Sequence, residues 1–310
     1  MKLKNLALAV LCAVLIPCTA FSWGKVETDS LASGVLAAQV RFNVYLPDGY
    51  DASNHYPVIY LLHRLSDNYA TWMERGNMSA VADELMASGE CRKAVIITPN
   101  AGGRPTRKVW NGYFNMPGWN YEDFFFGEFI PFVERKYNAG GSKGQRAVMG
   151  LSMGGGGSVV YCQRHPESFS SCYAMSAWLD NRENSVKSGE EKDKLYYVIR
   201  AVNEHSAIEF VRNADDRTVE AMKSVKWFID CGDDDFLLSL SVELHKLMKS
   251  RGIKSELRVR DGVHNWEYWH TALRMALPFA SRNFDREPSE KGGFQFLRMK
   301  TPAVFRSQAE

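Results

Sequence analysis

The chain has 310 residues, of which 45% are hydrophobic and 24% charged, a composition typical of a globular protein with a large core. Its formal net charge is only +2 and its basic residues are scattered, so charge gives no reason to expect nucleic acid or an acidic membrane surface as a partner. The sequence lacks the Cys-x-x-Cys and His-Glu-x-x-His patterns of transition-metal sites, and we expect no metal and no cofactor. Cys162, Cys172 and Cys231 lie within or next to apolar runs, which favours buried free thiols over a disulfide framework.

Residues 1–22 have the pattern of a secretory signal peptide. Lys2 and Lys4 precede an unbroken apolar run over residues 6–16, which is followed by Pro17 and several small residues. Eleven apolar residues are too few to cross a bilayer, so the run predicts export to the periplasm or the medium, with no transmembrane segment in the mature chain. Cys18 leaves open a lipid anchor, although Pro17 is a poor match to the small residue that usually precedes an acylated cysteine.

From residue 35 onwards, strand-like and helix-like segments alternate. Residues 35–46 alternate apolar and polar positions and then reach Pro47-Asp48-Gly49, which predicts an antiparallel edge strand and a turn. Further strands are predicted at residues 57–62, 94–97, 145–149, 171–176, 227–231 and 256–259. Helices are predicted at residues 78–86, 122–137, from the Ser152 turn to about Pro166, and at residues 237–250 and 266–279. The helix at residues 122–137 is expected to be irregular around Gly127 and Pro131.

This alternation predicts one α/β domain over residues 23–285, with a mostly parallel sheet covered by helices on both faces. Residues 181–223 are charged and interrupt the rhythm, which indicates a helical insertion above the strand ends. Residues 286–310 are polar and contain Gly292, Gly293 and Pro302, as expected of a loosely attached tail.

The strand at residues 145–149 leads into Gly150-Leu151-Ser152-Met153-Gly154. A strand that ends in Gly-x-Ser-x-Gly and opens a helix is the nucleophile elbow of α/β-hydrolases. The turn is so sharp that the residues two before and two after the serine must be very small, and glycine meets that need. The pattern predicts Ser152 as a nucleophile held above the sheet, with the N–H of Met153 free to bind an oxyanion.

A serine nucleophile needs an adjacent base that is itself oriented by a carboxylate, and in α/β-hydrolases these follow in the order serine, acid, histidine. The strand at residues 227–231 runs into a loop with Asp233, Asp234 and Asp235, and the strand at residues 256–259 runs into a loop with His264. His264 is the only histidine just beyond a late strand, so order and placement predict it as the base. The acid is expected in the loop with the three aspartates.

Alternatives stay open for several of these residues. The three aspartates also fit a solvated acidic loop or a weak calcium site. Asp230 is expected to remain within its strand, and Asp261 precedes a glycine turn. The remaining histidines on turns or helices are expected to be solvated, structural or packed near the site: His55, His165, His205, His245 and His270.

An oxyanion hole needs a second backbone N–H from the loop after an earlier strand. That loop is predicted to be His63-Arg64-Leu65-Ser66, which follows the strand at residues 57–62.

Taken together, these segments resemble the esterase D-like, or putative esterase, family of α/β-hydrolases, whose members include feruloyl esterases, short-chain carboxylesterases, S-formylglutathione hydrolases and mycolyltransferases. The matching pieces span residues 35–280 and include residues 60–63 with Trp72, Asn115 with residues 121–124, residues 150–155, residues 231–232 with 235–237, and residues 262–266 with 268–269. The resemblance implies the α/β-hydrolase fold, with Ser152 as nucleophile, Asp235 as acid and His264 as base. It also implies that Leu65 and Met153 supply the N–H groups of the oxyanion hole.

One departure from the family concerns the oxyanion loop. The family usually has glycine after the strand-end histidine, where this chain has Arg64. Arginine tolerates a positive φ poorly, so the loop must either avoid that conformation or store strain. The Arg64 side chain is expected either to face the cleft, where it would favour an anionic substrate, or to face solvent.

Residues 110–121 form a loop rich in aromatic side chains and amides, which suits a ring-bearing acyl group or a sugar. Trp110 and Trp119 are therefore predicted to line the substrate site; the alternative is a hydrophobic loop packed under the insertion. With export, the resemblance favours a serine carboxylesterase that acts on feruloyl or acetyl esters of plant polysaccharide, and disfavours S-formylglutathione, whose hydrolases are cytosolic. Acyl transfer to a carbohydrate hydroxyl needs the same triad and stays open. A third interpretation, an inactive hydrolase homologue that only binds carbohydrate, is supported by Arg64 alone.

Overall fold

The computed structural model describes residues 23–102, 111–182 and 195–285 of the chain. The predicted signal peptide with Cys18, the aromatic Trp110 and the predicted tail at residues 286–310 lie outside the described residues. The strands are β1 (Lys25–Ser33), β2 (Ala38–Leu46), β3 (Val58–Leu62), β4 (Val95–Pro99), β5 (Asn115–Met116), β6 (Trp119–Asn120), β7 (Arg146–Leu151), β8 (Ser171–Met175), β9 (Lys226–Gly232) and β10 (Ser255–Arg260). The helices are α1 (Thr71–Glu74), α2 (Met78–Ala87), α3 (Tyr121–Phe124), α4 (Ile130–Lys136), α5 (Met153–Arg164), α6 (Tyr196–Glu204), α7 (Ala207–Asn213), α8 (Asp216–Met222), α9 (Leu238–Ser250) and α10 (Trp266–Arg282).

Eight strands form one sheet in the order β1-β2-β4-β3-β7-β8-β9-β10. The β1–β2 and β2–β4 pairs are antiparallel, and all other neighbours are parallel. In register, Leu62 of β3 lies opposite Gly150 of β7, and Arg260 of β10 lies opposite Gly232 of β9. The loops after these four strands therefore start at the same edge of the sheet. This arrangement is the α/β-hydrolase fold, as predicted.

Helices cover both faces of the sheet because the central strands are apolar on both sides. In β3, Val58, Tyr60 and Leu62 point into one hydrophobic cluster, while Ile59 and Leu61 point into another. The first cluster is closed by residues of α4, α5 and α9, and the second by residues of α2 and α10. A continuous apolar run in the sequence thus corresponds to a strand buried on both faces.

The predicted edge strand at residues 35–46 is wrong in position, since β2 is the second strand of the sheet and β1 forms the edge. The sequence pattern does not predict β1 because only its last residue, Ser33, is fully buried, and Leu31 is the one β1 side chain that packs, partly buried, against the core. Its ladder to β2 runs over nine residues, from Lys25 opposite Leu46 to Ser33 opposite Ala38. Backbone pairing rather than hydrophobic burial defines this strand.

The helix predicted at residues 122–137 is irregular as expected. A π-helical turn at Phe125–Phe129 separates α3 from α4, and Pro131 lies in the first turn of α4. Helices α6, α7 and α8 lie in the described part of residues 181–223. None of the helices in the described ranges has the length and apolarity needed to cross a bilayer.

Candidate active site

Ser152 occupies the sharp turn between β7 and α5. Its backbone has φ 54° and ψ −119°, a conformation that non-glycine residues rarely adopt. A Cβ on Gly150 would come within 2.5 Å of the Gly154 carbonyl oxygen, and a Cβ on Gly154 within 2.5 Å of the Leu62 carbonyl oxygen. Both glycines of the motif are therefore required by close backbone contacts, and the turn aims the serine away from the sheet.

The structure brings Ser152, His264 and Asp235 together. His264 Nε2 lies 2.9 Å from Ser152 Oγ, while His264 Nδ1 lies 2.9 and 3.0 Å from the two carboxylate oxygens of Asp235. Asp235 follows β9 and His264 follows β10, so neighbouring parallel strands position these two side chains. The three side chains thus form a continuous hydrogen-bonded line, the arrangement that a serine nucleophile, its histidine base and an orienting carboxylate require.

Asp235 is buried, and its neighbours favour the ionised form. Burial alone would raise the pKa of Asp235, but hydrogen bonds and charge from His264, the Leu237 N–H and the Ser176 hydroxyl bring it below the ordinary value. The Leu237 N–H donates to Asp235 Oδ1 at 2.9 Å. A carboxylate of this kind can hold the imidazole in one tautomer and stabilise its protonated form.

Ser176 and Trp269 support the acid, and sequence analysis did not find this role. Trp269 Nε1 donates to Ser176 Oγ at 3.0 Å, and the Ser176 hydroxyl in turn bonds Asp235. Ser176 is fully buried and has φ 45°, a strained value for serine. A serine directly after a strand is too common a signal to identify such a residue from sequence.

The other two aspartates of the loop are exposed and do not contact His264. Asp233 Oδ1 accepts hydrogen bonds from the Gly262 N–H at 2.9 Å and the Asp234 N–H at 3.1 Å. Asp233 therefore ties the acid loop to the base loop. Among the described residues, no group of three or more His, Cys, Asp or Glu side chains is arranged to hold a metal ion.

The two backbone N–H groups predicted to form the oxyanion hole are those of Met153 and Leu65. Met153 is the first residue of the 12-residue helix α5, where an N–H has no partner within the helix, and the positive end of the helix dipole lies there. Within the part of the chain that the structure describes, neither the Met153 N–H nor the Leu65 N–H donates a hydrogen bond. Both are free to stabilise developing negative charge, as an oxyanion hole requires.

The buried ring of His63 holds the loop that carries Leu65. His63 Nδ1 donates to the Arg64 carbonyl oxygen at 2.8 Å, and His63 Nε2 accepts from the Ala101 N–H at 3.0 Å. In a trans peptide the C=O and the following N–H point in opposite directions, so fixing the Arg64 carbonyl turns the Leu65 N–H away from His63. These two bonds require a neutral ring, and burial lowers the pKa of His63 to about 4.

Because burial lowers the pKa of His63, we expect the free energy of unfolding to depend on pH. The ordinary pKa is 6.5 and the folded value about 4, so between these pH values the unfolded chain binds a proton that the folded protein excludes. Stability contributed by neutral His63 is complete above pH 6.5 and is lost as the pH falls, at no more than about 1.4 kcal/mol per pH unit. Asparagine keeps a donor near the Nδ1 position but does not titrate. Urea unfolding of His63→Asn should therefore show a shallower decline from pH 6.5 to pH 4 than wild type; equal slopes would contradict this account.

The Arg64 side chain is partly buried and is held by an ion pair with Asp67. Arg64 Nε donates to Asp67 Oδ2 at 2.9 Å, and its guanidinium lies 5.9 Å from the centre of the Trp269 ring system. Arg64 also avoids a positive φ, and the loop places that conformation at Ser66, with φ 68°. Of the two alternatives, the loop therefore avoids a positive φ at Arg64 and adopts it at the smaller Ser66.

We predict that Arg64→Gly keeps activity on neutral esters within about tenfold of wild type, because the oxyanion donor predicted from this loop is the backbone N–H of Leu65, which the substitution leaves in place. The ratio of activities on anionic and neutral esters should not change, because the guanidinium is already engaged by Asp67. Asp67→Asn, which weakens the same pair from its other side, is the matched variant. A loss of about a hundredfold on neutral esters would mean that Arg64 itself stabilises the oxyanion.

Trp119, predicted to line the substrate site, is only 6% exposed. Its Nε1 donates to the Gly112 carbonyl oxygen at 3.1 Å, and its ring stacks on Tyr121 at 5.8 Å between centroids. Phe114 in the same loop stacks on His205 of the inserted region at 4.5 Å. In the described part of the aromatic loop, Trp119 is thus buried within the loop and Phe114 packs against the predicted insertion, which agrees with the alternative interpretation and corrects the prediction for Trp119.

Comparison with known proteins agrees with this architecture. The family described as putative esterase matches residues 33–280. The chain belongs to this family. Among solved structures, a ferulic acid esterase shares 45% sequence identity with it at a TM-score of 0.80, over 85% of this chain and 99% of that one.

Two curated relatives of the chain are also named as esterases. An endo-1,4-beta-xylanase/feruloyl esterase of Xylanibacter ruminicola is 24% identical over 256 residues, which cover 81% of this chain but only 30% of that protein. The chain thus spans less than a third of the length of this relative. An acetyl esterase of Caldicellulosiruptor saccharolyticus is 23% identical over 249 residues, 75% of this chain and 86% of that protein.

Proposed function

We propose that the protein is an exported serine carboxylesterase that cleaves feruloyl or acetyl esters of plant polysaccharide. The observation that carries the catalytic part is the hydrogen-bonded line from Ser152 Oγ through the His264 ring to Asp235, with contacts of 2.9 to 3.0 Å. The substrate class is supported by the 45% identity to a solved ferulic acid esterase and by the names of the curated relatives.

The first half of the reaction acylates the enzyme. Ser152 Oγ attacks the ester carbonyl carbon while His264 Nε2 takes the serine proton, and Asp235 stabilises the resulting imidazolium. The N–H groups of Met153 and Leu65 stabilise the negative oxygen of the tetrahedral intermediate. The imidazolium then gives its proton to the alcohol oxygen, the bond from the acyl carbon to that oxygen breaks, and the acyl group stays on Ser152.

The second half repeats these steps with water. His264 removes a proton from a water molecule, whose oxygen attacks the acyl carbon, and the same N–H groups hold the oxyanion. The intermediate collapses, Ser152 recovers its proton from His264, and the carboxylic acid leaves. Replacing water by a sugar hydroxyl at this step would give acyl transfer with the same residues.

Turnover of methyl ferulate, p-nitrophenyl acetate and p-nitrophenyl butyrate by the purified protein tests the proposal. We expect hydrolysis of methyl ferulate or of the acetate, with the preferred ester defining the acyl group. Formation of a new sugar ester when an acceptor oligosaccharide is added would identify a transferase instead. No turnover of any of the three esters would contradict the proposed function.

Export is tested separately by sequencing the N-terminus of the mature protein from its natural host. We expect a new N-terminus near residue 22 and protein in the periplasm or the medium, as the signal pattern predicts. An uncleaved chain in the cytosol would contradict export, and a lipid on Cys18 would identify an anchored form.

A further inference from the structure

Phe236 is an exposed aromatic side chain next to the base. It follows Asp235 directly and is 57% exposed, whereas Asp235 and Leu237 on either side of it are buried. Its ring centroid lies 4.6 Å from that of His264, with a tilt of 48° between the planes. A phenyl ring left in water beside a buried site forgoes the free energy of its burial, so its position is not explained by packing of the core.

The His264 ring contacts two aromatic side chains in different environments. Trp269 contacts it edge-on at 4.9 Å and is fully buried, so this contact belongs to the interior. Phe236 lies on the side open to solvent. Val263, which precedes His264, is also 44% exposed, so apolar side chains flank both the acid and the base at the surface.

The reaction fixes which part of the substrate meets this surface. His264 Nε2 protonates the oxygen of the leaving alcohol, so the alcohol half of the ester must lie against the imidazole. For a polysaccharide ester that half is the sugar chain, which is too large to be enclosed and must extend from His264 towards solvent. It therefore leaves the site on the side where Phe236 is exposed.

We propose that Phe236 is the platform for the sugar ring that carries the ester, a binding subsite on the alcohol side of the scissile bond. This inference rests on the proposed function. The flat face of a phenyl ring suits the apolar C–H face of a sugar, which keeps its hydroxyl groups in water.

A polar hollow lies on the same two loops, although Phe236 itself does not line it. It has a volume of about 340 Å³ and is lined in part by Asp234, Asp261, Val263 and Asn265. Carboxylate and amide groups around an apolar side chain are the kind of lining that accepts sugar hydroxyl hydrogen bonds. The next unit of a sugar chain stacked on Phe236 can therefore be received here.

The test compares two esters that share an acyl group and differ in the alcohol: methyl ferulate and a feruloylated arabinoxylo-oligosaccharide. For Phe236→Ala we expect kcat/KM on the oligosaccharide ester, divided by kcat/KM on methyl ferulate, to fall about tenfold. Phe236→Tyr should restore the ratio, since it keeps the aromatic face. Val26→Ala is the matched control, because it removes an exposed apolar side chain from β1, at the opposite edge of the sheet, and should leave the ratio at the wild-type value.

A second measurement separates sugar binding from support of the imidazole. The unesterified oligosaccharide should inhibit methyl ferulate hydrolysis by wild type competitively, and the inhibition constant should rise about tenfold in Phe236→Ala. An equal loss of kcat/KM on both esters, with an unchanged ratio and inhibition constant, would show that Phe236 only packs on His264 and would overturn the proposal. If wild type hydrolyses p-nitrophenyl acetate but neither feruloyl ester, the same ratio is measured with an acetylated xylo-oligosaccharide against p-nitrophenyl acetate. Failure of wild type on the feruloyl esters and on the simple ester panel would instead refute the proposed function.

Discussion

Ser152→Ala is expected to remove nearly all esterase turnover while leaving the fold intact. The covalent intermediate cannot form without Oγ, and loss of a serine nucleophile in such a triad costs on the order of 10⁶ in kcat. The Ser152 backbone has φ 54°, which alanine tolerates about as poorly as serine, so the thermal unfolding midpoint should change little.

The measurement is kcat on the best ester from the panel, together with the midpoint of thermal unfolding. Cysteine at position 152 is the matched variant, since it keeps a nucleophilic atom near the position of Oγ and should retain more activity than alanine. Wild-type activity in a correctly folded Ser152→Ala protein would contradict the mechanism.

Asp235→Asn is expected to lower kcat by about 10⁴, the second largest effect. An asparagine that donates to His264 Nδ1 forces the tautomer whose Nε2 carries the proton, and that nitrogen can no longer accept a proton from Ser152. It also removes the charge that stabilises the imidazolium, which the low pKa of the Asp235 carboxyl keeps in place at neutral pH.

Asp233→Asn and Asp234→Asn are the controls for this prediction. Asparagine at position 233 keeps the oxygen that accepts from the Gly262 N–H, and Asp234 is exposed, so both variants should retain most activity. A larger loss for Asp234→Asn than for Asp235→Asn would mean that the acid is assigned to the wrong position.

The parts of the fold that bury apolar residues could be predicted from sequence. Strand β3 is a run of five buried apolar residues that predicts a strand, whereas β1 has a single, partly buried apolar contact with the core and is held by a ladder of backbone hydrogen bonds. The motif around Ser152 was recognisable because two glycines are imposed by backbone contacts with β3 and with each other.

Features that depend on side-chain contacts between distant segments could not be predicted. The sequence placed Arg64 in a loop but could not show that Asp67 holds its guanidinium or that the positive φ falls on Ser66. Asp235 is supported by Ser176, which is itself held by Trp269, and these two supporting residues lie 93 positions apart along the chain. Trp119 looked like a ligand contact because composition does not distinguish a buried aromatic loop from an exposed one.

Labelling with an organophosphonate that mimics the tetrahedral intermediate tests the central claim most directly. The phosphonate should add to one serine with loss of activity, and peptide mass analysis should place the adduct on Ser152, within reach of the Met153 and Leu65 N–H groups. His264→Ala should slow the labelling strongly, because the serine then lacks its base. An adduct on a different serine, or full inactivation with Ser152 unmodified, would contradict the account.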